Sequence, residues 1–170
     1  TAAENAGLPY QRLLRDGAVK GDWICVSDLA GAAERLTAVE GNILLTTGSK
    51  ELKAYSQIKD FAERVYARVL PLEDSLVLCR EAGVKAAHIL AMQGPFSEEM
   101  NTAMLRAIGA KWLVTKDGGA AGGFAEKAAA AAKTGVRLLV IGRPAEADGI
   151  GLSETVARLC ARFSFGRVPH

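Results

Sequence analysis

The chain has 170 residues, 49% of them hydrophobic and 24% charged, with a formal net charge of +2. That length suits one domain with a single substantial core, the composition excludes a disordered chain, and the interspersed charges are too balanced to mark a nucleic-acid surface. The longest apolar runs, around Ala128–Ala132 and Leu138–Ile141, are too short to span a membrane.

Thr1–Gly7 reads as the end of a helix stopped by Gly7. It carries neither an initiator Met nor a signal-peptide pattern, so the expectation is a fragment with something removed upstream. Tyr10–Leu14 and Trp23–Val26 read as an extended entry or short strands, and Asp28–Leu36 as a helix packed early. Five short apolar, β-branched-rich runs then recur: Asn42–Leu45, Val65–Leu70, Ala86–Ala91, Lys111–Val114 and Arg137–Ile141. Helical spacing fills the gaps. Glu51–Phe61 brings Leu52, Tyr55, Ile58 and Phe61 to recurring positions. Leu72–Ala82 and Ser97–Ile108 follow, the second with Met100, Met104, Leu105 and Ile108 on one face. Gly122–Lys133 is rich in Ala, the best helix former, and Ser153–Phe163 closes the chain. Strands alternating with helices at this spacing predict an α/β fold: a five-stranded, mainly parallel sheet with helices on both faces, whose strands are continuous apolar runs because both faces are covered.

Cys25, Cys79 and Cys160 are far apart, odd in number and form no Cys-x-x-Cys pair. Neither a disulfide framework nor a zinc site is expected; they read as small buried hydrophobes in a reducing cytoplasm. His88 lies in an apolar strand run and reads as a core residue rather than a base, and His170 is terminal. No Ser-His-Asp set, metal constellation or spaced pair of catalytic carboxylates is present, so the hard chemistry of any enzyme built this way would belong to a cofactor.

In an open parallel sheet, ligands bind beyond the carboxyl ends of the strands. Nearly every polar or Gly-rich loop of this sequence falls on that rim. Thr46-Thr47-Gly48-Ser49-Lys50-Glu51 joins hydroxyls, a glycine and a cation at a helix start, where N–H groups and the helix dipole favour an anion; simple capping by Thr47 or Ser49 is the competing account. "MQGPFSEEMN" (Met92–Asn101) offers Ser97 as an N-cap and Glu98 and Glu99 as first-turn acids, which leaves Gln93, Gly94, Pro95 and Phe96 unexplained by helix initiation. Thr115-Lys116-Asp117-Gly118-Gly119, then Gly122 and Gly123, is neither a Gly-x-Gly-x-x-Gly fingerprint nor a P-loop, since Phe124 stands where Lys is required. Paired glycines still let a backbone approach a ligand closely, and Lys116 and Lys127 bring charge. Arg143-Pro144 adds a cation able to pair with a carboxylate or phosphate.

Taken together, "LLTTGSKEL", "RVLP", "MQGPFSEEMN", "LVTKDGGAAGGFAEKAAAA" and "VIGRP", in this order, resemble the carboxyl-terminal portion of the precorrin-6A reductase family, from about Asn5 through Pro144. The resemblance implies a protein of two Rossmann-like domains with substrate and NADPH in the cleft between them, NADH being possible in its place. It implies that residues 1–40 are the interdomain crossing and entry segment and residues 41–170 the carboxyl-terminal domain of a three-layer, Rossmann-like fold. The family's amino-terminal, Gly-rich domain would be missing here, so this half alone would not turn over. The implied reaction is hydride transfer to a double bond of precorrin-6A or cobalt-precorrin-6A in cobalamin formation. Lys50, Lys116, Lys127 and Arg143 would offset substrate carboxylates or cofactor phosphates, Gln93 would hydrogen-bond an amide, and Phe96 would offer a face to a ring. Asp117, Glu98 and Glu99 are candidate proton donors. The rival reading is a non-catalytic, Rossmann-like module that binds a nucleotide or anion.

Overall fold

The computed structural model describes residues 6–7, 13–14, 23–118, 122–142 and 150–163. The strands are β1 (Leu13–Leu14), β2 (Ile24–Val26), β3 (Asn42–Leu45), β4 (Val65–Val69), β5 (Ile89–Ala91), β6 (Ala110–Lys116), β7 (Arg137–Ile141) and β8 (Ile150–Gly151). The α-helices are α1 (Leu29–Thr37), α2 (Phe61–Arg64), α3 (Glu73–Glu81), α4 (Glu98–Ala107), α5 (Phe124–Thr134) and α6 (Leu152–Phe163), with 3₁₀ turns over Ser49–Tyr55 and Ala86–His88. Two compact units divide the chain: residues 1–16 with 145–170, and residues 17–144. The first unit pairs β1 with β8 in parallel and carries α6, on which Val156 and Leu159 are about half exposed.

The second unit is a Rossmann-like, three-layer α/β structure. Its sheet has six parallel strands in the order β2-β7-β6-β3-β4-β5. The sequence predicts five; the sixth is β2, whose Ile24, Cys25 and Val26 pair in register with Leu139, Val140 and Ile141 of β7. Alternation divides the core between two faces. Ile43, Leu45, Trp112, Val114, Leu139 and Ile141 pack with residues of α1, the first 3₁₀ turn, α2 and α3. Leu44, Leu113, Leu138 and Val140 pack instead on Leu105 of α4 and on Phe124, Ala130 and Ala131 of α5.

Caps fix the helix ends. Asp28 Oδ1 accepts the Gly31 N–H at 2.8 Å before α1, and Ser97 Oγ accepts the Met100 N–H at 3.3 Å before α4. Residues 51–61 do not form one α-helix as their spacing implied. Leu52, Tyr55, Ile58 and Phe61 recur at a strict step of three, the period at which 3₁₀ side chains eclipse, and all four are buried. The chain therefore runs as 3₁₀ through Tyr55, turns, and re-enters a helix only at Phe61.

Two further expectations are corrected. His88 is not in a strand: its N–H donates to Lys85 O at 2.8 Å, closing a 3₁₀ turn, and β5 begins only at Ile89. Its half-buried ring stacks on Tyr66 at 3.9 Å between centroids, with Nδ1 3.2 Å from Val65 O. Of the cysteines only Cys79 is buried. Cys25 and Cys160 are exposed, Cys25 on the edge strand β2 and Cys160 on α6, whose residues 156–162 are all exposed.

Gly41 supplies a test of the turn into β3. Its φ is +88°, and an added Cβ would lie 2.4 Å from Lys111 Cγ and 2.8 Å from Lys111 Cβ. Gly135, at φ +69° after α5, has nothing within 4 Å of the same position. Gly135→Ala should therefore cost only the left-handed backbone penalty, about 1 kcal/mol, and Gly41→Ala at least about 2 kcal/mol, read by urea denaturation.

Candidate functional site

The strand order reverses between β3 and β6: β4 and β5 lie on one side of β3, and β6, β7 and β2 on the other. Crevices form outside the carboxyl ends of strands at such a point. A cleft of about 470 Å³ lies there, lined by the loops after β3, β4 and β5 and by the start of α5. Thr46 closes the first loop, its N–H and hydroxyl both donating to Val114 O, at 2.9 and 2.7 Å. Gly48 follows at φ +105°, and neither Thr47 nor Ser49 caps the 3₁₀ turn. Ser49 instead donates to Ser75 Oγ at 3.3 Å. Thr47 Oγ1 is buried in the cleft wall beside the Tyr55 hydroxyl.

Two cations enter the cleft from below. Arg68 of β4 projects toward α4 and α5, and Lys127 of α5 faces it; each residue is 8% exposed. Arg68 Nη1 donates to Asn101 Oδ1 at 2.7 Å and touches Met104 S at 3.7 Å, while its guanidinium lies 4.2 Å from the centre of the Phe96 ring. Lys127 Nζ donates to Thr115 Oγ1 at 2.9 Å. Every one of these partners is neutral, and no carboxylate lines the cleft among the described residues. Burial brings the Arg68 guanidinium down to about 10. Burial likewise lowers the Lys127 ammonium to about 8, with the Arg68 charge adding to the effect and Glu126 opposing it. Two buried positive charges with neutral hydrogen-bond partners, among apolar walls of Val69, Leu70, Met92, Pro95 and Phe96, make surroundings that favour an anionic group.

The loop that helix initiation left unexplained now has a physical account. Phe96 folds back to cover Arg68, and a Cβ on Gly94 would come within 3.1 Å of the Phe96 ring. Asn101 ties the arrangement together: while its Oδ1 holds Arg68, its Nδ2 donates to Ser97 O at 2.8 Å and Phe96 O at 3.3 Å.

Of the residues singled out from sequence, Thr47, Gly48, Gly94, Pro95, Phe96, Gly122, Gly123 and Lys127 line the cleft. Thr115 stands behind it, holding Lys127. Gly118 packs under Gly122, where a Cβ would meet Gly122 Cα at 3.2 Å. Ser49, Lys50, Gln93 and Lys116 do not line it, and Lys116 is spent on an ion pair with Glu51. Asp117, Glu98 and Glu99 are also outside the lining, Glu98 being paired with Lys133 at 2.8 Å. Gly119 and Arg143 lie outside the described residues. Arg68 and Asn101 were missed. The signal was a charge inside the apolar run Val65–Leu70 and an amide on the buried face of α4.

The family model described as precorrin-6x reductase CbiJ/CobK matches residues 1–162. The chain belongs to the precorrin-6x reductase family. Similar members of that family are the cobalt-precorrin-6A reductases of Priestia megaterium, 34% identical over 84% of this chain and 58% of the relative, and of Methanothermobacter thermautotrophicus, 46% identical over 84% of this chain and 48% of the relative. That of Salmonella typhimurium is 36% identical over 80% of this chain and 52% of its own length. The chain thus spans about half the length of the curated relatives it matches. A solved structure of CobK precorrin-6A reductase shares the fold, with a TM-score of 0.69 at 22% identity over 98% of this chain and 68% of that one. Among the described residues, no helix is long and apolar enough to cross a membrane.

Proposed function

We propose that this chain is the carboxyl-terminal, Rossmann-like half of a cytoplasmic precorrin-6A reductase. The enzyme would move a hydride from NADPH, or NADH in its place, to a double bond of precorrin-6A or cobalt-precorrin-6A in cobalamin formation. Family membership supports the reaction class, and the half-length match to the relatives supports the assignment to one half. The observation that carries the reading of the site is the pair of buried cations, Arg68 and Lys127, facing one cleft with neutral partners only. A conjugated ring bearing carboxylates matches that combination: apolar walls take the ring edge and the two cations take a carboxylate. The backbone around Gly122 and Gly123, at the start of α5, extends the same anion-friendly surface. The phosphates of a nicotinamide dinucleotide meet the same charge requirement, so the residues present fit either anion.

Calorimetric titration of this chain with a tetrapyrrole polycarboxylate, with NADPH and with NADP⁺, at low and moderate salt, tests the assignment. Saturable polycarboxylate binding that weakens with salt is expected. Saturable NADPH binding without polycarboxylate binding would reassign the cleft to the dinucleotide. Binding of neither would remove the anion-site reading.

A further inference from the structure

Reduction of a carbon–carbon double bond needs a proton as well as a hydride, and among the described residues of the cleft one side chain is suited to deliver it. We propose that Lys127 is the acid that protonates the ring carbon left electron-rich by hydride addition, while Arg68 stays charged and holds the substrate's anion. This rests on the reading of the cleft given under Proposed function.

Geometry separates the two cations. Thr115 donates its own proton to Lys116 O at 3.3 Å, so its oxygen meets Lys127 Nζ as an acceptor and occupies one of the three ammonium hydrogens. The groups around Nζ are Arg68 from β4, Thr115 from β6 and Glu126 on its own helix, and the side chain lines the cleft. Of the other polar groups at the lining, the Thr47 hydroxyl, beside that of Tyr55, is far too weak an acid to protonate carbon, and two more are committed. Thr46 gives its hydroxyl proton to Val114 O, and the Asn101 amide gives its protons to Phe96 O and Ser97 O. Burial beside a like charge is also how proteins bring a lysine into the range where proton transfer is efficient near neutral pH, whereas a guanidinium stays protonated. In the step itself, hydride adds to one carbon, the electron pair of the double bond closes on the proton leaving Nζ, and the N–H pair stays on nitrogen. Water then recharges the neutral amine.

Lys127→Arg in the complete reductase separates acid from charge. The variant should bind a tetrapyrrole polycarboxylate within about threefold of wild type yet turn over at least about a hundredfold more slowly, since a positioned acid contributes roughly 10² to 10⁴ in rate. A second readout needs no turnover. At about pH 9, above the range where the free ammonium holds its proton, calorimetry in two buffers of different ionisation enthalpy should show proton uptake as the polycarboxylate binds wild type, and none with Lys127→Arg. Turnover of Lys127→Arg within about threefold of wild type would sink the acid role while leaving the cleft reading intact. Binding to wild type without proton uptake would do the same, and it decides the matter even if the variant does not fold. Absence of polycarboxylate binding to wild type would instead remove the reading on which the proposal rests.

Discussion

Arg68→Met should weaken polycarboxylate binding by at least about thirtyfold while leaving the midpoint of urea unfolding nearly unchanged. Truncating one partner of a buried, hydrogen-bonded charge pair costs roughly 2–5 kcal/mol, and about 1.4 kcal/mol is tenfold in affinity. The folded protein has opposing terms. Removing a buried guanidinium with no carboxylate partner relieves its desolvation, a gain of a few kcal/mol at most. Against this stand the loss of the bond to Asn101 Oδ1, which leaves a buried oxygen unpaired at about 1–3 kcal/mol, and the loss of the Phe96 contact at about 1 kcal/mol. The two sides nearly cancel, so binding and stability should separate. Arg68→Lys keeps a charge but not the planar donor fork that reaches Asn101 and stacks on Phe96, and should fall between the two in affinity. A variant that loses stability in proportion to affinity would make Arg68 a structural residue and the anion site an artefact of its burial.

That separation explains which parts of the molecule the sequence could disclose. Strands buried on both faces announce themselves as apolar runs, and four of the five runs became strands over most of their length. The fifth did so only at Ile89–Ala91, because an edge position lets Ala86–His88 close a local 3₁₀ turn instead of a ladder. β2 was harder to see, since three residues at an edge carry too little pattern to outweigh an irregular entry. The step of three from Leu52 to Phe61 was visible but read with the wrong period. At the site, Thr47, Gly48, Gly94, Gly122 and Gly123, all singled out from sequence, line the cleft, because a close backbone approach needs Gly wherever it occurs. The cations divide: Lys127 lines the cleft, and Lys50 and Lys116 do not. Lys50 and Lys116 looked available because lysines beside glycines resemble ligand-binding loops, yet one is exposed outside the cleft and the other is bound to Glu51 across 65 positions of sequence. Arg68 looked like part of a strand. Only the fold shows that its side of β4 faces Lys127, and that no carboxylate lines the cleft among the described residues.

The chain should become more stable, not less, as pH rises from about 8 toward 10. Lys127 holds its proton to about 8 when folded, against 10.5 for a lysine in the open chain. Across that window the unfolded chain binds more protons than the folded one, so unfolding takes up a proton and is disfavoured by raising the pH. Full expression of the difference would amount to about 3 kcal/mol, at 1.36 kcal/mol per unit. Tyr55 acts in the opposite sense higher up. Burial pushes its hydroxyl to about 12, so from 10 upward the unfolded chain loses that proton first and stability falls. The lowered Arg68 guanidinium opposes it there, so denaturant midpoints measured every half unit should climb to about pH 10 and then level. Lys127→Met should remove the climb and raise stability at pH 7 by about 2 kcal/mol, since an apolar side chain of similar length replaces a buried ammonium whose hydrogen-bond partner, Thr115, is neutral. A wild-type profile that is flat or declining from 8 to 10, with Lys127→Met parallel to it, would mean that the ammonium is hydrated and not confined in the cleft. Saturating polycarboxylate should also flatten the wild-type climb, because an anion beside Nζ restores the lysine's hold on its proton. The free protein thus carries a charge that destabilises it below pH 8, and an anion bound beside Nζ would remove that cost.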